Sequence, residues 1–248
     1  MIAFRLGALL SVAMLLGCAP ADGPKTADRS ATADTTGTHQ QERRRMVRTQ
    51  IAARGVTDPQ VLGALRAVPR HEFVPDAPPT QAYQDRPLPI GHEQTISQPY
   101  IVARMTALAR VDSTGRVLEV GTGSGYQAAV LGAIADSVYT IEIIPELARS
   151  ASKRLDRLGY GNVEVKTSDG YEGWAARAPY DAIVVTAAPE QIPPPLIQQL
   201  AEGGRMVIPV GPTGGPQQLM LVKKTEDGQI EKRRISAVRF VPFLEDAQ

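Results

Sequence analysis

A glycine-rich turn is the feature of this sequence best suited to binding a ligand. The apolar run Val117–Val120 is followed by Gly121, Gly123 and Gly125, and then by a helical pattern from about Tyr126. Glycines let a backbone approach a ligand without a Cβ clash, and the N-terminus of a helix attracts negative charge. The segment therefore predicts a strand, a tight turn and a helix that together bind an anionic or nucleotide-like ligand.

The spacing of these glycines distinguishes between the known types of glycine-rich, ligand-binding turn. A dinucleotide fingerprint would need glycine where Tyr126 stands, and a P-loop would need a lysine that is absent nearby. The remaining pattern, Glu119-x-Gly121-x-Gly123-x-Gly125, resembles motif I of class I S-adenosylmethionine-dependent methyltransferases. The resemblance implies that these residues bind the methyl donor, with Glu119 near its cationic sulfonium, where negative charge is favourable. A glycine turn without a ligand is the alternative interpretation.

Two later segments fit the same ligand. Glu142 ends the next apolar run, 21 residues after Gly121, and a carboxylate there can accept both ribose hydroxyls of a nucleoside. Ser168, Asp169 and Gly170 follow the third run, where the resemblance implies contacts to adenine. The alternatives are a solvated charge at the strand end for Glu142, and a turn or helix cap for Ser168–Gly170.

A loop upstream of the glycine turn indicates the substrate. The segment Gln94-Thr95-Ile96-Ser97-Gln98-Pro99-Tyr100 strongly resembles a loop of protein-L-isoaspartate O-methyltransferases. The similarity continues in several separate motifs, in the same order along the chain: Val61–Val74, Arg116–Val130, Asp181–Glu190 and Val238–Pro242. It covers about residues 41–245, and several ordered motifs are more specific than any one of them.

The resemblance implies a repair reaction. The family transfers a methyl group from S-adenosylmethionine to the free α-carboxylate of L-isoaspartyl residues in damaged proteins. The ester then collapses to a succinimide, which can reopen to aspartate. Ser97 matches the family's active-site serine, although it could also cap the helix that begins at Pro99. Five further residues match the substrate site, with ordinary packing as the alternative for the last two: Thr95, Ile96, Gln98, Val241 and Pro242.

One position departs from the family pattern. The family often has Gly-x-Gly before the Gln-Thr-Ile-Ser segment, whereas this chain has Gly91-His92-Glu93. Glu93 restricts the backbone more than glycine does and adds negative charge near a carboxylate substrate. We expect this change to affect substrate affinity more than the type of reaction.

The elements that position these residues form an alternating pattern after Arg116. Short apolar runs lie at 117–120, 138–141, 163–165, 182–185 and 205–210, with helical stretches between the earlier ones. Strands alternating with helices predict an α/β, Rossmann-like class I methyltransferase fold with a mostly parallel twisted sheet and helices on both faces. Runs at 218–223 and 230–241, separated by Asp227-Gly228, predict a C-terminal antiparallel hairpin added to that sheet. Helices are predicted over 41–54, from Pro59, and over 99–110.

The N-terminus has the features of an export signal. Arg5 precedes an uncharged, mostly apolar run of 12 residues, 6–17, which is too short to span a membrane. The run ends at Cys18 in a pattern that resembles a bacterial lipoprotein signal, which predicts a signal at 1–18 and lipid attached to Cys18. Residues 19–40 are predicted to be a flexible tether, and 41–248 the methyltransferase domain. If the signal is used, the protein is anchored at the periplasmic face of the envelope; otherwise it is cytoplasmic.

Composition excludes several other classes of protein. Lys and Arg number 27 against 26 Asp and Glu, a balance that argues against a dedicated nucleic-acid binder. A single cysteine excludes an intrachain disulfide, and three scattered histidines argue against a metal site. We therefore expect isoaspartyl-containing proteins and peptides as partners, no nucleic acid, a membrane contact only through Cys18, and a monomer. A small-molecule class I methyltransferase and a lipid-anchored, non-catalytic binding protein are the alternative functions.

Overall fold

The computed structural model describes residues 29–74 and 76–244. The expected signal at 1–18, with Cys18, lies outside these residues. Within the described part the α helices are α1 (Arg29–Met46), α2 (Pro59–Ala67), α3 (Pro79–Ala82), α4 (Pro99–Ala109), α5 (Tyr126–Gly132), α6 (Pro145–Arg157) and α7 (Pro194–Gln198). The strands are β1 (Leu88–Gly91), β2 (Gln94–Ile96), β3 (Arg116–Val120), β4 (Ser137–Glu142), β5 (Val163–Thr167), β6 (Tyr180–Val185), β7 (Leu200–Val210), β8 (Gln217–Lys224) and β9 (Ile230–Val238).

A seven-stranded sheet organises the molecule, in the order β5-β4-β3-β6-β7-β8-β9. The first four neighbouring pairs are parallel, and the β7–β8 and β8–β9 pairs are antiparallel. The chain moves outward from β3 through β4 to β5 and then returns to the other side of β3 as β6. This reversal opens a crevice at the carboxyl ends of β3, β4 and β6, where open α/β sheets bind ligands.

Both faces of the sheet are buried, because successive strand residues alternate between two apolar clusters. Val117 packs into a cluster with residues of α2, α4, α5 and α6, whereas Leu118 packs into a cluster with Leu196 of α7. Both side chains are fully buried. This alternation explains why the strands are nearly continuous apolar runs. The predicted fold class, with its parallel sheet and antiparallel C-terminal strands, is confirmed.

The first helix begins earlier than the sequence predicts. We expected a flexible tether through residue 40 and a helix over 41–54, but α1 begins at Arg29. No proline interrupts the chain between Pro24 and Pro59, so the helix extends into polar sequence that lacks an apolar stripe. The helical path continues through a π-helical turn at Val47–Ile51 and a 3₁₀ turn at Ala52–Arg54. It ends at Gly55, whose φ of 89° is the left-handed conformation that glycine commonly adopts at a helix C-terminus.

Strands β1 and β2 form a separate two-stranded hairpin, and β2 begins the segment 94–100 that resembles the family's substrate-site loop. Its turn residues His92 and Glu93 have φ angles of 52° and 58°, values that glycine adopts more readily. The departure noted in the sequence therefore lies at a strained position. Chain leaving β2 passes through Ser97 and Gln98 directly into α4.

No helix in residues 29–74 and 76–244 is both long enough and apolar enough to cross a bilayer.

Candidate active site

The glycine turn adopts the geometry that its sequence predicts. Gly121, Gly123 and Gly125 all have positive φ angles, of 97°, 53° and 87°. A Cβ at Gly121 would collide with the Oγ1 of Thr186, and one at Gly123 would lie 3.2 Å from Cδ1 of Ile90. Side chains at these positions would therefore distort the turn or its neighbours, which accounts for the glycines.

Glu142 fixes the shape of this turn from the neighbouring strand. Its Oε2 accepts a hydrogen bond of 2.7 Å from the Gly123 amide, and its Oε1 accepts one of 3.0 Å from the Ile144 amide. The side chain is almost fully buried at the carboxyl end of β4. Each carboxylate oxygen keeps a second lone pair, so the group can still accept hydroxyl donors from a ligand.

Glu119 lies deeper, below the turn, and is fully buried. Its Oε2 accepts a hydrogen bond of 2.5 Å from Oγ1 of Thr140, while its Oε1 has no hydrogen-bond partner among the described residues. Burial, opposed by the hydrogen bond from Thr140 and assisted by the nearby Glu142, raises the pKa of Glu119 to about 8. The carboxyl is therefore mostly protonated at neutral pH in this structure. In the protein without a ligand, desolvation outweighs the benefit of ionisation. The predicted contact of Glu119 with the cationic sulfonium stays a prediction.

Two adjoining cavities follow the turn, and we call them together the glycine cleft. Both are lined by Thr95, Gly121, Gly123 and Thr186. The outer cavity adds Val120, Glu142, Gly170, Val241 and Pro242 to its walls. The inner cavity adds Glu119, Thr122, Ile96 and Ser97. The predicted ligand-binding residues Glu119, Gly121, Gly123, Glu142 and Gly170 therefore lie in the walls of one cleft.

A second, larger depression adjoins the glycine cleft, and we call it the arginine groove. It lies between the exposed face of α4 and the segment 236–241, and Arg54, Arg104 and Arg239 line it. Thr95, Ser97, Gln98 and Val241 also belong to its walls. Ser97 thus lies where the groove meets the inner cavity of the glycine cleft.

The Ser97 hydroxyl is available to a ligand. It forms no hydrogen bond within the described part of the chain, and the residue is half-buried. The expected capping role is not observed, because Gln98 is the N-cap residue of α4 and has no side-chain hydrogen bond. The amide of Tyr100, the second residue of α4, instead donates to Oδ1 of Asp85 at 3.2 Å. The Ser97 side chain therefore does not cap α4, and its role in substrate recognition stays a prediction.

Arg70 fixes the backbone beside that hydroxyl and was not singled out as a site residue from the sequence. It is fully buried, donates from Nη2 to the Ser97 carbonyl at 2.8 Å, and donates from Nε to the Ala82 carbonyl at 2.8 Å. Its guanidinium lies 4.8 Å from the ring centroid of Tyr126, the first residue of α5. Arg70 therefore connects the Ser97 loop to the helix that follows the glycine turn.

The family of the chain is decided by comparison over the whole folded region. A model of the family described as protein-L-isoaspartate(D-aspartate) O-methyltransferase matches residues 41–248. The chain belongs to this family. The resemblance noted in the sequence is thereby confirmed for the folded region.

The chain is also similar to individual proteins, in sequence and in fold. A protein-L-isoaspartate O-methyltransferase of Picosynechococcus is 58% identical over 201 residues, which cover 81% of this chain and 89% of the relative. A solved protein-L-isoaspartate O-methyltransferase is 30% identical with a TM-score of 0.73, over 80% of this chain and 65% of the solved chain. A Plasmodium falciparum structure described as a putative protein-L-isoaspartate O-methyltransferase in complex with S-adenosyl-L-homocysteine shares the fold, with a TM-score of 0.70 at 23% identity. That match covers 82% of this chain and 99% of the other.

Not every predicted residue of this isoaspartyl methyltransferase lines the cleft. Gly125 is the N-cap residue of α5, and a Cβ there would lie 3.3 Å from Cδ1 of Leu155. The Asp169 carboxylate accepts a hydrogen bond of 2.8 Å from the Tyr171 amide, which is the turn role that we left open for it. The Ser168 amide donates to the Glu142 carbonyl at 3.1 Å and so fixes the end of β5 against β4.

Thr186 is a second site residue that sequence reasoning missed. Its hydroxyl donates to the Gly121 carbonyl at 2.6 Å, and it lines both the glycine cleft and the arginine groove. It follows β6 directly, at the carboxyl edge beside β3. The alternation of strands and helices in the sequence could have predicted this position, because polar residues that follow adjacent parallel strands converge at one edge of the sheet.

The described residues contain no group of three or more His, Cys, Asp or Glu side chains arranged to hold a metal ion.

Proposed function

We propose that this chain methylates the free α-carboxylate of L-isoaspartyl residues in damaged proteins, with Ser97 as the residue that orients that carboxylate. Membership of the protein-L-isoaspartate O-methyltransferase family gives the reaction and S-adenosylmethionine as methyl donor. The observation that supports the role of Ser97 is its position where the glycine cleft meets the arginine groove, with an unbonded hydroxyl. Neither alternative function is favoured by the comparisons.

The residues of the glycine cleft fit S-adenosylmethionine. Glu142 has lone pairs to accept the two ribose hydroxyls, and Gly170 lines the same outer cavity. A Cβ at Gly170 would collide with Val120, so glycine at this position lets the two residues pack directly against each other in the cavity wall. Glu119 lines the inner cavity, and its Oε1 has no hydrogen-bond partner among the described residues, so its protonated carboxyl is a candidate donor to a ligand. The methyl donor supplies a methyl group that is already activated by a positively charged sulfur.

The chemistry requires little more than orientation. A carboxylate with a pKa near 4 is ionised at neutral pH and is already the nucleophile. The protein must hold it in line with the methyl group, which is catalysis by proximity. A hydrogen bond from the Ser97 hydroxyl to one carboxylate oxygen would leave the other oxygen free to react. Arg70 supports this geometry, because its bond to the Ser97 carbonyl restricts the loop.

Selectivity for isoaspartate over aspartate requires contacts to the substrate backbone, because isoaspartate inserts one methylene into the main chain. The residues that can make them lie on both sides of the site. Thr95 and Gln98 line one wall, and Val241 and Pro242 line the other. The Ala188 amide holds the second wall through a 2.9 Å hydrogen bond to the Val241 carbonyl.

A repair assay tests the proposed function. A synthetic isoaspartyl peptide is incubated with residues 41–248 and S-adenosylmethionine, and the aspartyl form is followed by chromatography. Conversion through a succinimide, dependent on the methyl donor, is the expected result. A stable methylated product that never yields succinimide would show that another group is methylated.

We further propose that the protein is a lipid-anchored monomer at the periplasmic face of the envelope. The support is Cys18 at the end of the apolar run 6–17, in a pattern like that of lipoprotein signals. Palmitate labelling in the native host, with Cys18→Ala as control, tests the anchor. Labelling that persists in the variant, or is absent from both proteins, would contradict the lipid anchor at Cys18. Light scattering at two concentrations tests the monomer, and a mass that doubles would contradict it.

A further inference from the structure

The arginine groove has an unbalanced charge. Its walls contain Arg54, Arg104 and Arg239, and none of the described residues that line it is Asp or Glu. The whole chain is close to neutral, with a formal charge of +1. The positive character of the groove is therefore a local property and not a reflection of overall composition.

Two of the three arginines lack a partner. Arg54 forms an ion pair of 2.6 Å with Asp85, and its guanidinium lies 3.4 Å from the ring centroid of Tyr100. Arg104 and Arg239, in contrast, form no hydrogen bond or ion pair within residues 29–74 and 76–244, although Arg104 is half-buried. A half-buried cation without a partner has lost part of its hydration, so an anionic ligand is favoured beside it.

The two arginines lie on opposite walls of the groove, near residues of the predicted substrate site. On α4, Arg104 lies five residues after Pro99, or about 7.5 Å at the helical rise of 1.5 Å per residue, and Ser97 precedes Pro99 by two residues of non-helical chain. On the opposite wall, Arg239 precedes Val241 by two residues of non-helical chain, or about 6–7 Å. An extended peptide advances about 3.3 Å per residue. A peptide that extends along the groove therefore brings side chains about two or more residues from the isoaspartate beside the arginines.

We propose that Arg104 and Arg239 select isoaspartyl segments that carry an acidic residue about two positions from the damaged site. This inference rests on the proposed function, since it assumes that the groove binds the peptide on which Ser97 acts. The preferred substrate class is an acidic, flexible segment of a damaged protein. The two arginines are specificity residues and take no part in the methyl transfer.

The size of the preference follows from the burial of the arginines. Exposed ion pairs change binding by small amounts, whereas charge-assisted hydrogen bonds to a partly buried arginine are stronger. We expect a glutamate to raise kcat/KM about threefold to tenfold over an isosteric glutamine, mainly through KM. A lysine at the same position should lower kcat/KM by a similar factor.

Matched peptides test the proposal. Seven-residue peptides carry a central isoaspartate, with Gln, Glu or Lys two residues before it or two residues after it. The enzyme is compared with Arg104→Gln, Arg239→Gln and the charge-retaining Arg104→Lys. Arg66→Gln is the control, because Arg66 is exposed on α2 and does not line the groove. Thermal unfolding and S-adenosylmethionine binding show that each variant is folded.

The expected result is a preference for Glu at one or both positions that falls toward unity in the Gln variants. The preference should persist in Arg104→Lys and Arg66→Gln, and it should weaken at 0.5 M salt because screening shortens the range of the interaction. Equal kcat/KM for the Glu and Gln peptides would overturn the proposal, as would a preference that both Gln variants retain. The Gln peptide tests the proposed function separately, since a failure to methylate any isoaspartyl peptide would overturn both. If Arg104→Gln does not fold, the exposed Arg239→Gln and the salt dependence still decide the question.

Discussion

Replacing Ser97 by alanine separates its chemical role from any structural role. The hydroxyl has no hydrogen bond among the described residues, and the bond from Arg70 goes to the backbone carbonyl, which alanine retains. The free energy of unfolding should therefore change by no more than about 0.5 kcal/mol. A hydrogen bond to an ionised group contributes about 1.5–3 kcal/mol. If the hydroxyl binds the substrate carboxylate as it reacts, kcat/KM should fall roughly 10- to 150-fold.

Three measurements on the same protein examine this prediction. Labelled methyl transfer to an isoaspartyl peptide gives kcat/KM, calorimetry gives the affinity for S-adenosylmethionine, and denaturant unfolding gives stability. Only the first should change. Ser113→Ala is the control, because Ser113 is exposed near the opposite end of β3, and Ser97→Thr should retain part of the activity. Unchanged turnover in Ser97→Ala would remove the hydroxyl from the mechanism, and a stability loss above about 1 kcal/mol would show that it has a structural partner.

Three further changes test the cleft and its supports. In Gly121→Ala, the added Cβ meets an unfavourable φ of 97° and collides with Thr186. Calorimetry should therefore show at least about tenfold weaker S-adenosylmethionine binding. Unaltered affinity would contradict the role of the glycine turn in binding the methyl donor. Glu93→Gly relieves a left-handed turn position and should raise stability by about 0.5–1 kcal/mol in denaturant unfolding, whereas a loss would show that Glu93 has a favourable contact. Glu119 has a folded pKa of about 8, above its ordinary value, so the unfolded chain releases this proton first and the contribution of the group to stability falls from about pH 4.5 to pH 8. The free energy of unfolding should fall by about 1.4 kcal/mol per pH unit in this range, and Glu119→Gln should remove this pH dependence. The same pH dependence in the variant would show that another group titrates.

The sequence predicts the sheet well because burial on both faces leaves a strong signal. Val117–Val120, apolar except for Glu119, and Ala182–Val185, apolar throughout, become neighbouring parallel strands. The glycine spacing likewise predicts the turn, since the three positive φ angles favour glycine and a Cβ at Gly121 would also collide with Thr186. In these places local pattern and tertiary environment impose the same requirement.

Features that depend on tertiary contacts were not readable in this way. Arg70 reads as an ordinary charged residue after α2, and only the folded chain shows it fully buried and bound to the Ser97 carbonyl. The protonation of Glu119 is a second example, because its pKa is set by desolvation and not by the residues beside it in sequence. The start of α1 at Arg29 is a third, since its polar composition gives no periodic signal.

The central claim is that this enzyme recognises isoaspartate and methylates its free carboxylate. The most direct measurement uses residues 41–248, methyl-labelled S-adenosylmethionine and two peptides that differ only in isoaspartate or aspartate at one position. Base-labile label on the isoaspartyl peptide alone is the expected result. Label on both peptides, or on neither while S-adenosylmethionine still binds, would contradict the account and assign the cleft to another methyl acceptor.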